Sequence, residues 1–237
     1  RRYSVFDEVL PNNGLDIAQF YDAGFSPRNF SEAIGGTQDN GTQYSVDLIN
    51  WGDVSGGDGG GTGINFLRPG IQYSSNQIQN NPDFYPINLS YPDSPDDPNA
   101  LAWESAYNIS IYTNGDINPF IANGTINAGN PEKFMYATNF LYEFDSTTFR
   151  WTKFRQRFSE NGYVIGTAAA PSDPRYIYAG TLDGRFWYSS DGGRRFIRVN
   201  GLPNRSITDI QVSATNPRQV YVTLGGSGAG HVYRAND

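Results

Sequence analysis

The sequence predicts an all-β fold, specifically a β-propeller of four-stranded antiparallel blades. Three observations predict it: a repeat with a fixed period, a strand-and-turn rhythm inside each repeat, and a composition rich in aromatics and turn formers. The repeat is carried by Asn130-Pro131, Asp173-Pro174 and Asn216-Pro217, so the prolines recur every 43 residues. After each comes an apolar–Tyr strand: Phe134-Met135-Tyr136, Tyr176-Ile177-Tyr178 and Val220-Tyr221-Val222. A weaker copy starts at Ser26-Pro27-Arg28-Asn29 and leads to Ala33-Ile34-Gly35-Gly36-Thr37. Internal periods of this length mark repeat architectures, in which a unit cannot bury both faces alone and must stack on its neighbours.

One repeat defines the unit. Tyr163–Ala169 and Tyr176–Gly180 read as its first two strands, and Leu182-Asp183-Gly184 as the hairpin turn that follows. Arg185–Ser189 and Phe196–Val199 read as the third and fourth. Four short strands in about 43 residues match one propeller blade. The composition agrees. Aromatic residues make up 15% of the 237, with 27 Gly and 14 Pro, which suits short strands joined by tight turns and not helices. The domain expectation is a single propeller domain, or a fragment of a larger one, over 1–237. Clear blades span 118–237, a further blade spans 16–60, and 61–105 reads as an irregular insertion. Within it, Pro95-Asp96-Asp97-Pro98 marks a turn. About five blades are present, so a partial or oligomer-completed ring is expected. The chain starts at Arg1 without a signal-peptide pattern, which reads as a processed product or part of something longer.

Charge and chemistry narrow the function classes. The formal net charge is −7, so the surface repels phosphates and nucleic acid is not an expected partner. No cysteine is present, which removes disulfides and thiolate metal sites, and His231 is the sole histidine. No apolar run approaches the length of a membrane helix.

The stretch Ser189-Ser190-Asp191-Gly192-Gly193-Arg194-Arg195-Phe196 resembles the Asp-box, Ser-x-Asp-x-Gly-x-x-aromatic. Its Asp accepts turn amides, its Gly permits the bend, and its aromatic tucks against the blade. Ser189, Asp191, Gly193 and Phe196 are therefore assigned a structural role. Gly35-Gly36-Thr37-Gln38-Asp39-Asn40-Gly41, Gly56–Gly60, Asn118-Pro119-Phe120, Gly201-Leu202-Pro203 and Gly230-His231-Val232-Tyr233 extend the likeness. Together they resemble secreted Asp-box (BNR-repeat) propeller proteins, a superfamily related to sialidases, xyloglucanase-like glycoside hydrolases and sortilin-type receptors. The resemblance implies rings of six to eight blades, and an extracellular or cell-surface location.

Candidate sites follow, each beside a plainer reading. The resemblance to xyloglucanase-like enzymes places an acidic residue at Asp39. Asp58, in the Gly56–Gly61 loop, could complete the pair of carboxyls that glycoside hydrolysis needs. Both also sit in ordinary turn sequences. Calcium held by Asp58 and nearby carbonyls is the one cofactor left open; otherwise none is expected. Trp51 and Trp103 flank the irregular stretch and are the expected sugar-binding aromatics, whereas Trp151 matches Phe196 in the repeat and reads as core. Six sequons, at Asn29, Asn40, Asn88, Asn108, Asn123 and Asn204, fit a glycosylated surface protein or Asn-rich turns. The leading functional expectation is a non-catalytic propeller serving binding, adhesion or assembly. Its partners would be proteins or further copies met through open blade edges, or carbohydrate. The alternative is a glycoside hydrolase using paired carboxylates on the channel face.

Overall fold

The computed structural model describes residues 18–26, 29–77, 84–91, 103, 106–121, 123–228 and 230–235. Within them every regular element is a strand. The first blade runs β1 (Phe20–Phe25), β2 (Ala33–Thr37), β3 (Gly41–Ser45) and β4 (Gly52–Ser55), hydrogen-bonded in that order. The second is β5 (Gly59–Ile64), β6 (Gln72–Asn76), β8 (Ile87–Ser90) and β9 (Ala106–Asn108). A two-stranded ribbon of β7 (Phe84–Tyr85) and β10 (Ile111–Tyr112) accompanies it. The third is β11 (Asn123–Ile126), β12 (Lys133–Ala137), β13 (Leu141–Asp145) and β14 (Arg150–Lys153). The fourth is β15 (Val164–Ala170), β16 (Asp173–Thr181), β17 (Phe186–Ser189) and β18 (Ile197–Val199). The fifth has three described strands, β19 (Ile207–Val212), β20 (Val220–Leu224) and β21 (Val232–Ala235). All pairings within the blades are antiparallel.

The stretch expected as an irregular insertion, 61–105, is corrected by this topology: it supplies most of a complete second blade. The physical reason is its polar core. Gln72, Ser74, Ser75 and Asn76 on β6 are all buried, which a hydrophobic period cannot reveal. Side-chain bonds satisfy several of them: Gln72 donates to Glu32 Oε1 at 2.8 Å, and Ser75 donates to Gly61 O at 2.9 Å. The Pro95–Pro98 turn lies outside the described residues.

Blades stack by presenting alternate residues of each strand to opposite neighbours. On the third blade, Phe134, Tyr136 and Phe144 pack against Ile71, Tyr73 and Leu89 of the second. Met135, Ala137 and Leu141 point the other way, onto Val164, Ile177 and Ala179 of the fourth. The Tyr73 and Phe134 rings stack at 4.5 Å between centroids, with planes 7° apart. The fourth and fifth blades meet through Tyr178, Phe186, Ile207, Ile210 and Val222. Among the described residues the ring is not closed, so the first and fifth blades each have a neighbouring blade on one face only.

Four of the five innermost strands carry a shared irregularity. Register shifts fall between Phe20 and Asp22, Gly59 and Thr62, Val164 and Gly166, and Ile207 and Asp209. A bulge leaves an unpaired residue and re-aims its side chain. Tyr21, Gly61, Ile165 and Thr208 thereby line the central channel.

Candidate functional site

Two concavities define the candidate surfaces. The central channel, about 710 Å³, is bounded by inner-strand residues of all five blades. A cleft of about 950 Å³ lies on the first blade, lined among others by Phe20, Asp39, Gln43, Trp51 and Asp53. The cleft unites two residues singled out from sequence, Asp39 and Trp51.

The cleft is built by the turns of the first blade. Gln38–Asn40 joins β2 to β3, with Asp39 in the left-handed region at φ 60°, which Asp tolerates better than most residues. The Asp39 carboxylate is exposed, but its amide is not idle: it donates to Asp58 Oδ1 at 2.7 Å. Asp58 itself is 7% exposed, and its carbonyl accepts the Gln77 amide at 2.8 Å. Gly41 N adds a bond to Gly57 O. Asp58 thus fastens the β2–β3 turn to the start of the second blade.

The glycines around Asp58 have the same origin. A Cβ on Gly36 would stand 2.0 Å from Gly60 O, and one on Gly59 would stand 2.3 Å from Gly41 O. The Gly-rich run is demanded by backbone packing between blades. Gly59–Gly61 belong to buried strand β5 and not to an open ligand loop. Among the described residues, no group of three or more His, Asp or Glu side chains gathers as a metal site.

On the cleft's rim, Trp51 is 41% exposed and meets Phe20 edge-on, centroids 5.9 Å apart. Gln43 donates to Asp53 Oδ1 at 2.7 Å, across the β3–β4 pair. Trp103 is absent from this lining. Its indole donates to Gln72 Oε1 at 3.0 Å, and its amide to Ser90 Oγ at 2.8 Å, which ties it to the second blade. Trp151 packs on Phe144 and donates to Ile109 O at 2.7 Å.

The Ser189–Phe196 turn forms a local clasp. Ser189 Oγ donates to Asp191 Oδ1 at 2.8 Å and accepts the Gly193 amide at 2.9 Å, while Asp191 also accepts the Arg195 amide. Those bonds hold the Asp191 carboxyl below its ordinary range. Gly193 has φ 82°, and a Cβ there would stand 2.1 Å from the Phe154 ring. Phe196 packs edge-on against Phe158 at 4.8 Å.

A second such turn escaped the sequence reading. Ser45 Oγ donates to Asp47 Oδ1 at 3.2 Å, and Asp47 accepts the amides of Ile49 and Asn50. The Asn50 bonds, chiefly, lower the Asp47 pKa to about 2. The Ser-x-Asp spacing was a visible signal. The missing glycine hid it: Ile49 stands at the motif's glycine position, and Leu48 just before it takes a positive φ of 59°.

Two channel residues were also missed. Asp22 and Asp209 follow their bulges at equivalent places in the first and fifth blades. Asp22 Oδ2 accepts the Thr62 amide at 2.8 Å, linking the first two blades. Burial pushes its carboxyl pKa up, against the lowering effect of the Thr62 and Ala23 amides. Of the sequons, Asn29, Asn40, Asn108 and Asn204 are exposed. Asn88 and Asn123 are half-buried on strands, and Asn123 faces the channel.

No family model matches the chain, and no curated protein matches it. Solved structures do. A GH74 xyloglucanase from Xanthomonas campestris aligns with TM-score 0.56 at 13% identity, covering 86% of this chain and 35% of that one. A GH74 enzyme from Niastella koreensis aligns with TM-score 0.60 at 15% identity, over 91% of this chain and 30% of that one. The Cps50 (Swd1) β-propeller domain of Myceliophteria thermophila aligns with TM-score 0.60 at 12% identity, over 89% of this chain and 64% of that one. The chain therefore spans about a third of the GH74 structures and under two thirds of the Cps50 domain. At these identities the likeness concerns architecture: the chain is an open array of β-propeller blades.

Proposed function

We propose that this chain is a non-catalytic propeller module of an extracellular or cell-surface protein, and that it binds carbohydrate in the first-blade cleft. One observation carries the reading. The carboxylate of Asp58, half of the expected catalytic pair, is buried and accepts the Asp39 amide. That leaves a cleft with an exposed aromatic pair, Phe20 and Trp51, rimmed by Asp39, Gln43 and Asp53. An aromatic face beside hydrogen-bonding groups suits a sugar ring, which is apolar on one side and hydroxylated at its edge. The exposed sequons at Asn29, Asn40, Asn108 and Asn204 suit glycosylation at such a location. Unpartnered faces of the first and fifth blades suit assembly with a protein partner or a further copy.

A second reading is favoured by one feature. Asp39 and Asp53 both line the same cleft, so two carboxyls could flank one glycosidic bond. The two readings separate in a single experiment. Xyloglucan oligosaccharides are titrated calorimetrically into the protein, and released reducing ends are assayed in parallel. Binding without hydrolysis, weakened about tenfold or more by Trp51→Ala, is the expected result; tenfold corresponds to about 1.4 kcal/mol. Hydrolysis that disappears in Asp39→Asn and Asp53→Asn would establish the enzyme instead.

A further inference from the structure

The most poorly compensated charge among the described residues is Arg205. It sits between β18 and β19, with its backbone pressed against the β16–β17 turn: a Cβ on Gly184 would stand 2.5 Å from Arg205 N. Its side chain extends beneath the β20–β21 connection, where a Cβ on Gly226 would stand 3.2 Å from both Nε and Nη2. Nε, Nη1 and Nη2 are all buried, and none has a hydrogen-bond partner. A guanidinium stays charged at any working pH and offers only donors. Burying it without an acceptor is among the least favourable arrangements a protein can hold. The neighbouring acid does not serve it: Asp183 pairs with Arg185 through Oδ2 at 3.1 Å, and its buried Oδ1 makes no hydrogen bond to the guanidinium or to any other group.

The connection above Arg205 is equally one-sided. Gly225 N donates to Ser206 O at 2.9 Å, which anchors the loop beside the arginine. The next three residues, Gly226, Ser227 and Gly228, are exposed, and their amides take part in none of the backbone bonds of the turns and loops. Gly226 and Gly228 have φ of 79° and 88°. This conformation favours glycine at 226, and a Cβ there would also crowd the guanidinium. A loop of left-handed glycines over a cation gathers N–H donors in one place, and such concavities bind anions.

We propose that Arg205 and the Gly226–Gly228 turn form a binding site for a small oxyanion, a carboxylate or phosphate group. The planar fork of the guanidinium matches two oxygens of such a group, and the turn amides would be the donors for the remaining ones. This site lies on the fifth blade and is independent of the first-blade cleft.

Thermal unfolding with added sodium phosphate, sodium acetate or sodium chloride at matched ionic strength tests the site. A ligand that binds only the folded state raises Tm saturably. At ten times its dissociation constant, the rise is about 3–5 °C for a chain of this size. The expected result is such a rise with phosphate or acetate, none with chloride, loss of the rise in Arg205→Gln, and its retention in Asp183→Asn. The larger of the two responses identifies the preferred group. No saturable rise in the unaltered protein, or an equal rise in Arg205→Gln, overturns the proposal. Should Arg205→Gln fail to fold, selenate soaked into crystals of the unaltered protein decides. An anomalous peak about 3 Å from the guanidinium nitrogens supports the site, and its absence there overturns it.

Discussion

At the scale of single residues, several acids in this chain accept backbone amides. Asp47 and Asp191 accept amides of their own turns. Asp22 and Asp58 each accept an amide that crosses between the first and second blades. Asp58 is the sharpest case, because it is buried and its Oδ1 holds the amide of a residue in the left-handed region. Removing the acceptor leaves that amide without its bond in a partly buried place. We therefore expect Asp58→Ala to cost about 1–3 kcal/mol of stability in urea unfolding. Asp58→Asn should cost less, since its amide oxygen still accepts. Equal stability of Asp58→Ala and the unaltered protein would remove this tie from the account. Sequence reading singled out Asp58 as one of a pair of carboxyls; its bond to the Asp39 amide was not visible there. A carboxylate among glycines looks the same in one dimension whether it faces a ligand or a neighbouring amide.

At the scale of elements, the fourth blade was legible almost to its boundaries. Its strands are short apolar and aromatic runs, and Asp183-Gly184 marks the turn; the structure starts the first strand at Val164, the last at Ile197, and the second three residues early at Asp173. The second blade was illegible for the opposite reason. Its β6 strand buries Gln, Ser and Asn, and the glycines of β5 act through backbone contact, so these two strands offer no side-chain period to be read. That backbone contact is open to test. Adding a Cβ at Gly36 brings it 2.0 Å from Gly60 O and 2.7 Å from Gly59 C, both backbone atoms that cannot rotate aside. Gly36→Ala should therefore cost about 3 kcal/mol or more, whereas Gly56→Ala, with nothing within 4 Å, should stay within about 0.5 kcal/mol. Circular dichroism in a urea series compares them directly. Similar midpoints for the two variants would mean that the first two blades do not meet through these strands.

At the scale of the whole molecule, the open ring gives the five blades unequal surroundings. The 43-residue period showed that blades must stack, but a period counts units without saying whether the circle closes. The third blade is packed against a neighbour on both faces, and Phe134, Met135, Tyr136 and Leu141 are completely buried. The end blades are different. Where the third blade presents Phe134, Tyr136, Tyr142 and Phe144 to its preceding neighbour, the first presents Ala33, Gly35, Gln43 and Ser45 at the corresponding places. On the fifth blade, Tyr221, Val232 and Arg234 are exposed on the face away from the fourth. In stacked repeats, stability sums over the units and their nearest interfaces, so a unit with one interface opens at lower free energy than a unit with two. Amide hydrogen exchange should accordingly show a gradient. Protection should be greatest in β12, β13 and β16 and should fall toward both ends, with β21 and β4 exchanging first. A partner seated on either end face would raise protection in that end blade alone, which also makes the measurement an assay for assembly. Uniform protection from β2 through β20 in the isolated chain would contradict the open arrangement, because only a closed circle gives every blade two neighbours.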